Sequence, residues 1–481
     1  MKKIIAISLV GLFFLSGFGA GAYAKNDSNE FLKVDALTSY DMVIIAPACL
    51  SDAIIPLIDH KNSVGIYSFL KTTDEIYNEY EGRDAAEQIK YFIKDAIELW
   101  NIRYVLLAGG KDNVPVRYVT TYFEDEINYC DKGSLISYDN VSDLFISDLY
   151  YADIYDQNGS FCTWDSNNNN NNNNNNIFGE ANSTEIIDYI DLYPDIYVGR
   201  ILCSNSDEVS TVVSKIIDYE MNTYGEEWFN NIVLCGGDTH PYTWEEYILK
   251  IFFRFMLDAR CRVAFEGEYL CNCIASEMNG FSANKLFASG ILGIRAQLLT
   301  VENINNEINN GAGFFLFCGH GSPNGMPTFP PFAKNGRVKL PYPNGYKTSD
   351  IFNLSNGGKL PIAVFNTCSN GDFDTVDSPI AWDFIQYGDG GSIVSYAATT
   401  EVNTWPTTYT SHSLLSLLAL NLFKIYADGV DISGNLWGQS IIRYLNNDEA
   451  WEYTPIAWDH HLTIEEWSLF GDPSLKIGGY P

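Results

Sequence analysis

Short apolar runs closed by Gly, Asn or Ser alternate along the chain with longer stretches whose apolar residues recur at helical spacing. Runs of Val, Ile, Leu and Phe without polar alternation fit strands buried on both faces of a parallel sheet. The pattern predicts strands at Tyr40–Ala48, Tyr104–Ala108, Ile196–Leu202, Ile232–Cys235, Phe314–Phe317, Ile362–Phe365 and Ser392–Ala397. It predicts helices at Ala53–His60, Ala85–Trp100, Ser206–Tyr224, 242–264 and Ser378–Tyr387. Strand and helix in alternation imply crossover connections, so the expected class is α/β, a mostly parallel sheet flanked by helices.

Two of the runs end on reactive side chains. GAGFFLFCGHGSPNG delivers His320 and LPIAVFNTCSNGDFD delivers Cys368. In open parallel sheets ligands sit beyond the carboxyl ends of the strands, which is where both residues fall. A thiol with its ordinary pKa of about 8.5 needs a base or a cation beside it to act as a nucleophile, and His320 is the candidate partner. Gly319 and Gly321 around the His, and Gly371 after the Cys, leave the backbone free to turn sharply. The spacing, 368 minus 320, is 48 residues, close to the roughly 50 between His and Cys in caspases. The local TCSNG differs from the caspase QACxG. Cys318 sits inside the first apolar run and reads as a small core residue.

Composition narrows the function classes. Among 481 residues, 61 Asp and Glu against 29 Lys and Arg give a formal charge of -32, a surface that repels phosphates and argues against nucleic-acid binding. Met1-Lys2-Lys3, an apolar run to Phe18 and Ala22-Tyr23-Ala24 read as a signal peptide over residues 1–24. No later stretch is long and apolar enough for a membrane helix, so the expectation is a secreted or extracytoplasmic protein. The mature chain is expected to divide into an N-terminal α/β lobe, 25–228, and a catalytic lobe, 229–481. Ten consecutive Asn at 167–176 cannot pack a core and read as a surface loop. Around it, Asp153, Asp156, Asn158, Asp165 and Glu180 supply oxygen ligands of the kind calcium takes, although their spacing is not that of an EF-hand and a solvated acidic loop is the plainer reading. Neither GxSxG nor HExxH occurs, which leaves serine hydrolase and zinc peptidase chemistry without support.

A strand ending in His-Gly followed by one ending in Cys resembles the caspase and legumain clan. CGHGSPNG, NTCSNGDF and SLFGDPSL, with YDMVIIAP, YVLLAGG, LYPDIYVGR and VLCGGDT, look like the gingipain family of cysteine peptidases over nearly the whole mature chain. The resemblance implies a two-lobed, caspase-like fold and a cysteine endopeptidase acting on protein or peptide substrates. It implies no cofactor in the chemistry and a structural calcium. VLCGGDT resembles the segment in which the family carries the acid that orients the catalytic His, which nominates Asp238. ATTEVNTW resembles the loop lining the substrate pocket, with Trp405 as a wall. Glu268 falls near the family's specificity acid, and Glu401 replaces an apolar residue of the pocket loop. Either acid would favour a basic P1 residue. The chain stops soon after SLFGDPSL, where the family continues into a further domain, and so reads as a stand-alone catalytic unit. The competing reading is an inactive exported surface or adhesion protein that keeps the fold.

Overall fold

The computed structural model describes residues 39–122, 142–165, 175–182, 186–241, 243, 245–246, 248, 265–292, 297–333, 338–342, 344–454 and 457–481. The expected signal peptide, the Asn run up to residue 174 and most of the expected 242–264 helix lie outside the described residues.

The seven expected strands all form, and four others join them in one sheet of eleven among the described residues. In chain order they are β1 Met42–Ala46, β2 Ser68–Thr72, β3 Tyr104–Ala108, β4 Tyr197–Ile201, β5 Asn231–Gly236, β6 Ser282–Phe287, β7 Gln297–Leu298, β8 Phe314–Cys318, β9 Ile362–Asn366, β10 Val394–Ala398 and β11 Trp467–Phe470. Across the sheet they run β7-β6-β5-β8-β9-β10-β11-β4-β3-β1-β2. Every neighbouring pair is parallel except β10 with β11. The single antiparallel junction makes β5 to β10 point one way and β11 with β1 to β4 the other. Strands from before and after residue 228 therefore share one sheet, and β11, from the C-terminus, joins them.

The central strands are buried along their whole length because helices cover both faces. FFLFC of β8 and IAVFN of β9 are buried at every position. Helix α1, Ser51–Ser63, and α2, Ala85–Trp100, connect the first strands, and Asp84 caps α2 by accepting from the Glu87 amide. Helix α3, Ser206–Asn222, begins where Asn205 caps it and leads into the second half. Later come α4 Glu266–Glu277, α5 Val301–Asn310, α6 Ile380–Gln386 and α7 Leu414–Ala427. LLSLLALNLFKIYA of α7 is apolar nearly all round, as a helix wrapped by core must be.

Candidate active site

The register of the sheet decides where the chemistry lies. Cys318 at the end of β8 is aligned with Asn366 at the end of β9 and with Gly236 at the end of β5. Two residues beyond that row stand His320, Cys368 and Asp238. Three loops from three adjacent parallel strands thus converge at one edge, and a fourth, 399–405 after β10, borders them.

Backbone contacts hold the loops together. The Gly319 amide donates to the Asn366 carbonyl at 3.3 Å and the His320 amide to Pro327 at 2.8 Å. A Cβ on Gly321 would lie 2.0 Å from the Cys368 carbonyl oxygen, so this position accepts no side chain. Directly after the nucleophile candidate, Ser369 has φ 49, a left-handed conformation uncommon outside glycine. Its amide donates to Thr400 at 2.8 Å, which fixes the turn against the neighbouring loop.

The His320 imidazole meets a backbone carbonyl: Nε2 lies 2.9 Å from the Thr239 oxygen. A carbonyl only accepts, so Nε2 carries the proton and Nδ1 is left as the basic nitrogen of the neutral ring. Phe329 packs edge-on against the imidazole at 5.4 Å and His240 lies 6.4 Å away. Burial and the charge of His320 push His240 down to about 4, so it is neutral at neutral pH. Cys368 is half-buried, with its thiol 3.7 Å from the Val402 carbonyl. Burial pushes the thiol up to about 11; the charges of Glu466 and Glu401 add to the rise, and hydrogen bonding with the backbone of Val402 and Gly321 opposes it. The resting thiol is therefore protonated at neutral pH, and a base is required to generate the thiolate.

Asp238, nominated to orient His320, takes a different place. The orienting contact comes from the carbonyl of the next residue, Thr239, while the Asp238 side chain hydrogen-bonds toward Glu266. Burial, then the charges of Glu266 and Glu268, push Asp238 up to about 9, so at neutral pH it holds a proton and offers no anion to an imidazolium. Glu266 accepts from the amides of Thr239 and His240 at 3.3 and 3.4 Å. It had no signal in the sequence beyond standing two residues from Glu268 in FEGEY. The close seat of α4 requires glycine between them: a Cβ on Gly267 would lie 2.8 Å from the Cys318 carbonyl oxygen.

Glu268 is buried, and its carboxylate accepts from the Ser289 amide and hydroxyl, both at 2.7 Å. Glu401 is exposed on the loop that carries Val402. Trp405 is buried, donates to the Thr454 hydroxyl at 2.6 Å and packs in a cluster with Tyr409, Leu414 and Tyr453. Glu466, just before β11, is fully buried, and among the described residues neither of its carboxylate oxygens has a hydrogen-bond partner.

The five nominated calcium ligands are not drawn together. Asp153, fully buried and pushed up to about 8 by burial, accepts from the Trp164 indole at 2.7 Å. Asp156 accepts from the amides of Asn158 and Ser160 in its own turn, Asp165 pairs with Arg83, and Glu180 accepts from Asn175 at 2.8 Å. Among the described residues no three His, Cys, Asp or Glu side chains are grouped to hold a metal ion. As a set, these residues do not fit calcium.

The model of peptidase family C25 matches residues 35–478. The chain belongs to peptidase family C25. It is 19% identical over 489 residues to Gingipain R2 of Porphyromonas gingivalis, a match covering 98% of this chain and 51% of that protein. To Gingipain R1 of the same organism it is 18% identical over 469 residues, covering 95% of this chain and 36% of the relative. The chain spans about half the length of the first of these relatives, or less. Two solved structures share the fold at TM-score 0.59. The complex of Porphyromonas gingivalis RgpB pro- and mature domains is 17% identical, with 91% of this chain and 79% of that one covered. The Arg-specific cysteine proteinase gingipain R is 16% identical, with 91% and 78% covered. Among the described residues no helix is long and apolar enough to cross a membrane.

Proposed function

We propose that this chain is an exported cysteine endopeptidase in which His320 activates Cys368. One observation carries the reading: the Thr239 carbonyl holds the Nε2 proton of His320, leaving Nδ1 basic in a loop whose Gly321 lies against Cys368. As Sγ attacks the peptide carbonyl carbon, Nδ1 takes the thiol proton. The carbonyl π electrons move to oxygen, where backbone amides at the strand end, those of Gly321 and Cys368 being the candidates, would receive the negative charge. The imidazolium returns its proton to the leaving amine, the C–N bond breaks and a thioester remains. Water, deprotonated by His320, then attacks the thioester and releases the carboxylic acid with the thiol restored.

A preference for basic P1 residues belongs to the same reading. Its support is the set of buried carboxylates Glu266, Glu268 and Glu466 around the converging loops. Export rests on the leader-like residues 1–24.

The test is peptide hydrolysis by three variants. Cys368→Ala and His320→Ala are expected to abolish turnover without loss of fold, whereas Cys318→Ala, buried in β8, is expected to keep it. Activity surviving in Cys368→Ala would falsify the assignment.

A further inference from the structure

We propose that Asn370 is a positioning residue that locks the Cys368 loop to the His320 loop and so sets the distance across the dyad. The proposal rests on the Cys368 and His320 reading and adds the element that keeps the two in register.

Beyond the ends of β8 and β9 the ladder is over, and nothing in regular secondary structure fixes 319–325 against 367–371. Asn370 lies between them, fully buried. Its Nδ2 donates to the Ser322 carbonyl at 2.6 Å and to the Gly325 carbonyl at 3.2 Å. Those two carbonyls belong to a tight turn, closed by the Ser322 amide on Gly325 at 2.9 Å and the Gly325 amide on Ser322 at 3.2 Å. Only Gly321 separates the turn from His320, so its position carries the imidazole. On the other side, Asn370 Oδ1 accepts from the hydroxyl of Thr367, the residue before Cys368. The orientation of the amide is thereby forced, because both carbonyls can only accept and the hydroxyl supplies the proton that Oδ1 needs.

Helix α6 repeats the link from below. Its Ala381 amide donates to the Asn370 carbonyl at 3.1 Å, and its Ile380 amide donates to the Pro323 carbonyl at 2.7 Å. One residue in each loop is thus tied to consecutive amides of one helix, and the Asn370 side chain adds two bonds that cross directly from the Cys loop to the His loop, away from the contact of the Cys368 thiol with the Gly321 backbone. Neither end of this bridge touches a reacting atom. Its effect runs through geometry, where a displacement of about 1 Å is worth on the order of 10²-fold in rate.

Asn370→Asp keeps the shape and removes the two-proton donor. The ionised carboxylate would face two carbonyl oxygens in a dry site, and the protonated form can satisfy only one. The prediction is a kcat lower by on the order of 10²-fold with KM little changed. The second readout is the pH dependence of Cys368 alkylation by iodoacetamide. In the parent the reaction is assisted by His320; in Asn370→Asp it is expected to shift toward the alkaline profile of His320→Ala. A purely structural role would lower Tm and leave the alkylation profile of the folded protein unchanged. Thr367→Val removes the hydroxyl that orients the amide, and a lower kcat is expected there too, which keeps the test readable if Asn370→Asp does not fold. Parental kcat and alkylation profile in either variant, while His320→Ala differs from the parent, overturn this proposal alone. Coincident profiles for the parent and His320→Ala overturn the dyad itself.

Discussion

Gly321 and Cys368 are in backbone contact across two loops that are 47 residues apart in sequence, 368 minus 321, with room for no Cβ: one built on Gly321 falls 2.0 Å from the Cys368 carbonyl oxygen. Gly321→Ala must push the loops apart, since the atom it meets is backbone and cannot rotate away. The expected result is a folded protein whose kcat/KM falls on the order of 10²-fold or more. Peptide turnover and far-UV circular dichroism measure it together, and near-parental kcat/KM in the variant would mean that the contact has no bearing on the reaction.

Specificity is tested on matched substrates. If a buried carboxylate meets the P1 side chain, Arg and Lys substrates should exceed neutral ones in kcat/KM, and the corresponding Gln variant should lose that preference. Removing one partner of a buried charge pair is worth about 2–5 kcal/mol. Glu268→Gln, Glu266→Gln, Glu466→Gln and Glu401→Gln separate the candidates. Glu401 is exposed, so its substitution should matter least and only at low salt. Equal rates on basic and neutral P1 substrates in the parent would end the proposal.

Asp238 gives a pH dependence with a defined sign. Its folded pKa of about 9 lies above the ordinary 3.8, so the folded state holds a proton that the unfolded chain releases. That stability is fully present below about pH 4 and is lost as pH rises toward 9. His460 and His461, pushed down to about 4 by burial, act oppositely: their contribution is lost as pH falls from about 6.5 toward 4. Between pH 7 and 9 only the carboxyl effect of this pair of trends remains, at most about 1.4 kcal/mol per pH unit for one group. Tm should fall across that window, and Asp238→Asn should flatten the slope. An unchanged slope in the variant would contradict the raised pKa.

Calcium at the nominated acids would have to take Asp165 from Arg83 and the proton from Asp153. Chelation at constant ionic strength is therefore expected to leave Tm unchanged as far as these residues are concerned. Occupancy at 100 times Kd would be worth about 2.7 kcal/mol, well within reach of a melting curve. A fall in Tm on chelation that persists in Asp153→Asn and Asp165→Asn would assign the ion to other residues. A fall that either variant removes would return it to these.

The apolar runs by themselves determined the parallel core and the strand ends on which His320 and Cys368 stand. A strand buried on both faces must be apolar throughout, and that composition is visible without neighbours. Helix Ala85–Trp100 was legible to the residue because its apolar residues recur at helical spacing. Strands β2, β6 and β7 were not, since at and beside the sheet edge they carry half-exposed or polar sequences whose pairing is set by what lies beside them, and β11, though buried at every position, is a run of only four residues. The partner of His320 was also beyond the sequence. The family resemblance pointed to the Asp238 carboxylate, whereas the contact is the carbonyl of Thr239, a group every residue possesses and no composition reveals. Glu266 and Asn370 acquire their places only when α4 and the two loops are brought together. Side-chain pattern encodes which face is buried, but the alignment of Gly236, Cys318 and Asn366 in one row is a property of the assembled ladder, and that row puts the imidazole and the thiol at the same edge.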